Sequence, residues 1–220
     1  MVAHSKNVAP KRSMSVGKIG FVLTDRCPAA CDVCCFSCSP RKRARLPLTV
    51  MLDCIEQAGE TENIRNVVFS GGEPFLFYQD VLHAARCARQ LGLQCEIVTC
   101  GYWAKSGALV RRRLRDLLSA GFVSLCLSAD LFHAQYVPLD RIRCLLSVAY
   151  EEGFPLTVSV TSTRSKPGLM MLAEQLGTHL HGIPIRENAC QPVGRAREVI
   201  PAEDFVLDKP VQRVPCRSRM

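Results

Sequence analysis

Cys27, Cys31 and Cys34 fall within one short stretch, Cys27-Pro28-Ala29-Ala30-Cys31-Asp32-Val33-Cys34. Thiolates at that spacing on one loop can wrap three irons of a cubane iron–sulfur cluster. The fourth iron is then left without a protein ligand, which opens a place for a substrate or cofactor. The competing use of such cysteines is a structural zinc site. Zinc takes four ligands from two separated pairs, and Cys31/Cys34 and Cys35/Cys38 are too crowded to form two knuckles. Five of the thirteen cysteines lie between Cys27 and Cys38. The others (Cys54, Cys87, Cys95, Cys100, Cys126, Cys144, Cys190 and Cys216) are scattered, mostly in apolar segments, where cysteine serves as a small buried hydrophobe. Cys216, beside Pro215, is the exception.

Further segments carry chemistry. Ser70-Gly71-Gly72-Glu73-Pro74 offers two residues without side chains, where a backbone can approach a ligand closely. Ser128 is suited to hydrogen bonding. Asp130-Leu131-Phe132-His133 places an imidazole three residues after a carboxylate, a pairing able to bind substrate or relay a proton. The commoner use of a lone histidine is structural.

These segments have to be positioned by regular elements. Lys18 to Thr24, Asn66 to Phe69, Cys95 to Thr99, Phe122 to Ser128 and Leu156 to Thr161 read as strands, and Ile183 to Ile185 as a short sixth. Between them lie helices: Thr49, as the cap, to Ala58; Tyr78 to Leu91; Ser106 to Ala120; Leu139 to Glu152; and Leu169 to Leu176. A glycine ends each of these segments (Gly59, Gly92, Gly121, Gly153, Gly177). Sixfold strand–helix alternation predicts parallel βα units, and near-continuous apolar strands predict a sheet covered by helices. The expected fold is therefore α/β, a partial (β/α)6 barrel short of the eight units of a closed one. In such folds function gathers at the C-terminal ends of the strands. The cysteine loop, Gly71-Gly72-Glu73, Gly101-Tyr102-Trp103, and Asp130 with His133 all fall there. The predicted layout is a flexible basic segment over 1–15, a core over 16–200 and a C-terminal tail over 201–220.

Composition narrows the class. The 220 residues suffice for one domain. No stretch is apolar enough to span a membrane, and Met1 to Ser15 lacks a secretory core. A cytoplasmic, reduced protein is expected, since a disulfide scaffold conflicts with the odd number of cysteines and the chain length. The net charge of +8 is concentrated in Lys11-Arg12, Arg41-Lys42-Arg43, Arg111-Arg112-Arg113 and Arg213 to Arg219. Such runs are usually solvated, and can also guide an acidic electron donor or an anionic substrate. Nucleic-acid binding is not expected, because no stacking aromatics or binding motif accompany them.

Three cysteines after a first strand, spaced by three and then two residues, resemble the signature of the radical S-adenosylmethionine (SAM) family. The likeness extends from Gly17 to Arg197. Ser70-Gly71-Gly72-Glu73-Pro74 is similar to the family's GGE motif. Val98-Thr99-Cys100-Gly101-Tyr102 stands where many members have Thr-Asn-Gly, and Gln191-Pro192-Val193-Gly194-Arg195-Ala196 resembles a late Pro-x-Gly-Arg-Ala segment. The resemblance implies that Cys27, Cys31 and Cys34 hold a [4Fe–4S] cluster. SAM would chelate the open iron, with Ser70, Gly71, Gly72, Glu73 and Ser128 as cofactor-binding residues. Glu73 as a barrel salt-bridging residue is an equal alternative. Reductive cleavage of SAM would yield a 5′-deoxyadenosyl radical that takes hydrogen from a peptide or small molecule, with Asp130 and His133 as catalytic candidates and a flavodoxin or ferredoxin as electron donor. A peptide is suggested by likeness to maturases around Trp103 and His133.

The chain departs from the family pattern in several places. Val33 replaces the usual aromatic residue before the third cysteine, Cys100 replaces asparagine, and Cys35 and Cys38 are additional: spare thiols, a redox pair or ligands of a second metal. Many peptide-modifying members carry a cysteine-rich extension, and Cys216 alone cannot build an auxiliary site, so the tail reads as a minimal or truncated one. A non-catalytic iron–sulfur carrier would ligate every iron and has no need of Gly71-Gly72 on the same rim. A zinc-binding module would show zinc and no SAM turnover.

Overall fold

The computed structural model describes residues 17–206. The expected flexible segment 1–15, most of the tail and Cys216 lie outside the described residues. Six strands form one sheet: β1 (Lys18–Val22), β2 (Asn66–Ser70), β3 (Gln94–Thr99), β4 (Phe122–Ser128), β5 (Leu156–Ser162) and β6 (Ile185–Ala189). Their spatial order is their chain order, and every neighbouring pair is parallel. β1 and β6 are edges, so the sheet is the open, partial barrel expected. The crossovers carry α1 (Leu48–Gly59), α2 (Tyr78–Gln90), α3 (Gly107–Ala120), the single turn α4 (Leu131–Ala134), α5 (Leu139–Glu151) and α6 (Gly168–Leu176), and α7 (Ala196–Val199) follows β6.

Burial alternates residue by residue along β2, β3 and β5 and along β4 from Ser124 onward. Val67, Phe69, Cys95, Ile97, Leu125, Leu127, Val158 and Val160 are fully buried beneath the helices. Phe21, Phe69 and Phe122 continue this core as a ladder, with ring centroids 5.8 and 5.6 Å apart. The intervening residues, among them Ser70, Val98, Ser128 and Thr161, are half-buried or line the concave side. The helices thus cover the sheet on its convex side, as a partial barrel requires. Helices cover one face, and the polar residues in alternate positions mark the other.

Local chemistry sets the element ends. The Ser106 side chain accepts a hydrogen bond from Leu109 N at 3.4 Å and caps α3, and Gly121 closes it at φ +102°. α1 begins at Leu48 with Pro47 at its cap position, so Thr49 lies inside the first turn. β6 is longer and later than Ile183 to Ile185: Arg186, Glu187 and Asn188 give it a polar sequence, and register with Ser159, Val160 and Thr161 of β5 supplies the strand. Packed structure continues past residue 200. Arg164 N donates to Asp204 O at 2.8 Å, and Phe205 is buried with Cys190 and Ala196.

Candidate functional site

The cysteine loop leaves β1 and returns to its own base. Leu46 N donates to Leu23 O at 2.8 Å, Thr24 Oγ1 to Ala44 O at 2.6 Å, and Cys27 N to Ser39 O at 3.2 Å. Between these ties the chain has no regular structure. It turns tightly, with Cys34 N donating to Cys31 O at 3.1 Å and Ser37 N to Cys34 O at 3.2 Å, and Ser37 takes φ +51°.

Beside β1, the end of β2 approaches closely. Gly72 N donates to Thr24 O at 2.6 Å and Glu73 N to Arg26 O at 3.0 Å. A Cβ on Gly72 would lie 2.0 Å from Arg26 O, and one on Gly71 (φ +121°) would lie 2.8 Å from Leu23 N and Thr24 O. The missing side chains therefore have a task independent of any ligand: they seat the β2 end against the root of the cysteine loop.

A cavity of about 200 Å³ opens over the C-terminal ends of the strands. Cys27, Cys31 and Cys34 line it, with Cys35 and Cys38, Ser70, Gly71 and Gly72, Thr99 and Cys100, Ser128 and His133, and Thr161. Of the candidate cofactor-binding and catalytic residues, Glu73 and Asp130 are absent from this wall, as are Gly101, Tyr102 and Trp103 of the rim.

Glu73 is wholly buried. Its carboxylate accepts hydrogen bonds from Phe75 N (3.1 Å), Thr99 Oγ1 (2.8 Å) and Cys100 N (2.9 Å). Thr99 Oγ1 in turn accepts from Gly101 N and Trp103 Nε1, both at 3.1 Å. Glu73 thus ties the β2 rim to the β3 rim by hydrogen bonds, where the sequence suggested a cofactor contact or an ion pair. Burial raises its pKa against the pull of these donors.

Asp130 is likewise enclosed. It caps α4 by accepting from Phe132 N (3.0 Å) and His133 N (3.1 Å), takes Thr161 N at 3.0 Å, and lies 2.8 Å from His133 Nδ1. Asp130 therefore holds and orients His133, which alone of the two reaches the cavity. Burial works against charge on His133, but the Asp130 carboxylate and hydrogen bonds to Asp130 and Cys31 lift its pKa well above the usual value.

Cys27, Cys31 and Cys34 each meet one polar side chain. The Cys100 thiol bonds to Cys27 and, against burial, lowers the Cys27 pKa. The Cys38 thiol does the same for Cys34, which falls to about 5 despite burial, helped by the Cys38 and Phe36 amides and the charge of Arg195. His133 bonds to Cys31. Thiolate is the form that binds metal, and these surroundings favour it at Cys27 and Cys34. Cys38 stands beside Cys34, its backbone N–H donating to Cys34 Sγ at 3.3 Å, and Cys100 stands beside Cys27. The signal for Cys100 was its replacement of an expected asparagine, and for Cys38 its place in the cysteine run; nothing local marked Thr161 as part of this surface. Val33 fills the gap between the loop and Ile200, in place of a ring.

Among the described residues, no three His, Cys, Asp or Glu side chains converge closely enough to clasp a single metal ion. The cysteines instead stand around a shared cavity with lowered pKa values at Cys27 and Cys34. That donor set fits a multi-iron cluster, in which each thiolate takes a different iron.

The radical SAM superfamily model matches residues 21–173. The chain belongs to the radical SAM superfamily, whose members use a [4Fe–4S] cluster and SAM. It is 27% identical over 186 residues to the peptide biosynthesis protein YydG of Bacillus subtilis (strain 168), covering 83% of this chain and 57% of that protein. It is 29% identical over 168 residues to PqqA peptide cyclase of Xanthomonas campestris pv. campestris (strain B100), covering 70% of this chain and 43% of that protein. Its fold superposes on native anSMEcpe with bound AdoMet and Cp18Cys peptide at TM-score 0.57 and 12% identity, over 79% of this chain and 50% of the other. The chain spans about half the length of the curated relatives it matches.

Proposed function

We propose that this chain is the core of a radical SAM enzyme acting on a peptide. In this reading Cys27, Cys31 and Cys34 hold a [4Fe–4S] cluster and SAM binds at the iron they leave open. The single observation that carries it is the convergence of the three cysteines, Gly71-Gly72 and Ser128 on one cavity at the strand ends. When bound, the cluster and SAM supply a 5′-deoxyadenosyl radical for hydrogen abstraction.

The protein's own part is to bind, orient and exclude water. Ser70, Ser128 and Thr161 present hydroxyls from three strand ends to the polar groups of the cofactor. Gly71 and Gly72 keep that rim low, and Glu73 fixes it from beneath. His133, held by Asp130, is a donor on the cavity wall beside Cys31. A peptide is the favoured substrate class, supported by what the two curated relatives are named for and by the peptide bound to the structural neighbour. The run Arg41-Lys42-Arg43, with both arginines exposed, continues the cysteine loop. It suits an acidic electron donor of the flavodoxin or ferredoxin kind. We place the core at residues 16–200 and the protein in the cytoplasm, where thiols stay reduced; all twelve cysteines described are free. Among the described residues no helix is long and apolar enough to cross a membrane.

The test is anaerobic reconstitution, reduction and measurement of 5′-deoxyadenosine from added SAM, beside a variant carrying Cys27→Ala, Cys31→Ala and Cys34→Ala. Product from the parent alone supports the proposal. A four-iron cluster without product would favour an electron carrier, and bound zinc without a cluster would favour a zinc module.

A further inference from the structure

Within Cys27–Cys38 the loop is tied to itself by short turns: Cys34 N to Cys31 O, Ser37 N to Cys34 O and Cys38 N to Cys34 Sγ. From Cys27 to Cys38 it has no helix or strand, and Ser37 sits at φ +51°, which costs energy for a residue with a side chain. Its carbonyl oxygens need donors, and one residue far along the chain supplies three. The Arg195 guanidinium donates to Cys31 O at 2.7 Å through one terminal nitrogen and to Cys38 O at 2.6 Å through the other. Arg195 N donates to Cys34 O at 3.0 Å.

The residue before it is pressed against the same loop. Gly194 takes φ +56°, and a Cβ there would lie 2.3 Å from Cys35 O and 2.5 Å from Cys34 O. The residue after it, Ala196, is fully buried with Cys190 and Phe205. Val33 of the loop and Ile200 belong to both apolar clusters at this joint. The turn from Gly194 to Ala196 is thus seated from behind and has the loop in front.

We propose that Arg195 is a positioning residue, a clamp that fixes the path of the Cys31–Cys38 backbone and so the placement of the cluster-binding thiols, with Gly194 permitting the close approach. The cluster part of this inference rests on the function proposed above; the clamp on the loop does not. The planar fork of arginine reaches two diverging carbonyls at once, whereas a lysine ammonium engages as a single point. The role is therefore specific to the guanidinium and is not general to positive charge.

The test is amide hydrogen exchange of the cluster-free protein, followed by mass spectrometry of the peptide covering the loop. In Arg195→Met, the loop amides should exchange faster by about tenfold or more, the factor carried by one lost hydrogen bond to a charged group. Exchange in β2 to β4 should stay unchanged, and Arg195→Lys should fall between. After reconstitution, iron should leave Arg195→Met for a chelator faster by a similar factor. Unchanged loop exchange in Arg195→Met overturns the clamp. So does Arg195→Lys behaving as the parent, since that would reduce the role to charge. Should Arg195→Met unfold by far-UV circular dichroism, Arg195→Lys decides on the same readout. A parent protein that takes up no cluster defeats the proposed function, while the exchange result still judges the clamp.

Discussion

Replacing Gly72 by alanine distinguishes two tasks for the glycine pair. If the missing side chain serves only a bound ligand, Gly72→Ala leaves the cluster-free protein intact. The geometry says otherwise, because the new Cβ would lie 2.0 Å from Arg26 O, 2.6 Å from Arg26 C and 3.1 Å from Arg26 N. These atoms are backbone, fixed by the β1–β2 ladder just before them, and cannot rotate away. Relief requires the strand end and loop root to part by roughly an ångström. Overpacking of this kind costs roughly 1–3 kcal/mol. The hydrogen bonds from Gly72 N to Thr24 O and from Glu73 N to Arg26 O would be strained, at about 1 kcal/mol each. The expected loss is roughly 3–5 kcal/mol, or a melting temperature lower by about 10 °C in a chain of this length. Thermal unfolding of the cluster-free protein by circular dichroism measures it. Gly20→Ala is the control, with nothing within 4 Å of its Cβ. A Gly72→Ala protein that melts within about 2 °C of the parent yet loses SAM binding would refute the packing argument.

Further outcomes follow from the same geometry. In the cluster-free protein, the far-UV thiolate absorbance should show one group titrating near pH 5; its pKa is depressed, so the thiolate is present above that pH and lost below it. Cys34→Ala should remove the component and Cys38→Ala should shift it upward; a component unaffected by either would refute the assignment. Asp130→Ala should destabilise the fold by roughly 3–5 kcal/mol, because it leaves buried amides and an imidazole without their acceptor. His133→Gln should cost only about 1 kcal/mol, so equal losses in urea unfolding would contradict the division between a holding and a cavity-facing residue. Thr99→Val should cost roughly 2–3 kcal/mol by stranding the Trp103 and Gly101 donors. It should also change the emission of Trp103, the chain's single tryptophan; an unchanged spectrum would mean that the indole is held by something else.

The parts of the fold that could be read from sequence are those carried by local signals. Apolar runs rich in β-formers located β2 to β5, glycines marked the ends of the helices between them, and spacing singled out Cys27, Cys31 and Cys34. β6 escaped because Arg186, Glu187 and Asn188 carry no apolar signal and owe their conformation to β5. The concave face of the sheet was marked in the sequence by polar residues at alternate positions, such as Ser128. At the site, proximity in sequence succeeded for Gly71-Gly72 and for His133 with Asp130. It failed to separate the members of each group, since Glu73 and Asp130 face inward while their neighbours line the cavity. The partners of the loop cysteines are distant in sequence, and no periodicity predicts which side chain will meet Cys27 or cap the carbonyl of Cys38.

The strand order has a kinetic side. Each strand pairs with the next one made, so the sheet can grow in the direction of synthesis with short-range closures. The cysteine loop is the exception, since its contact with Arg195 joins residues 164 positions apart. At ribosomal speeds of ~5–20 residues per second, that interval is roughly 10–30 seconds. Throughout it the thiols have emerged while the guanidinium that completes their loop has not. The loop's last contacts are therefore made well after its own residues, once translation has passed residue 195.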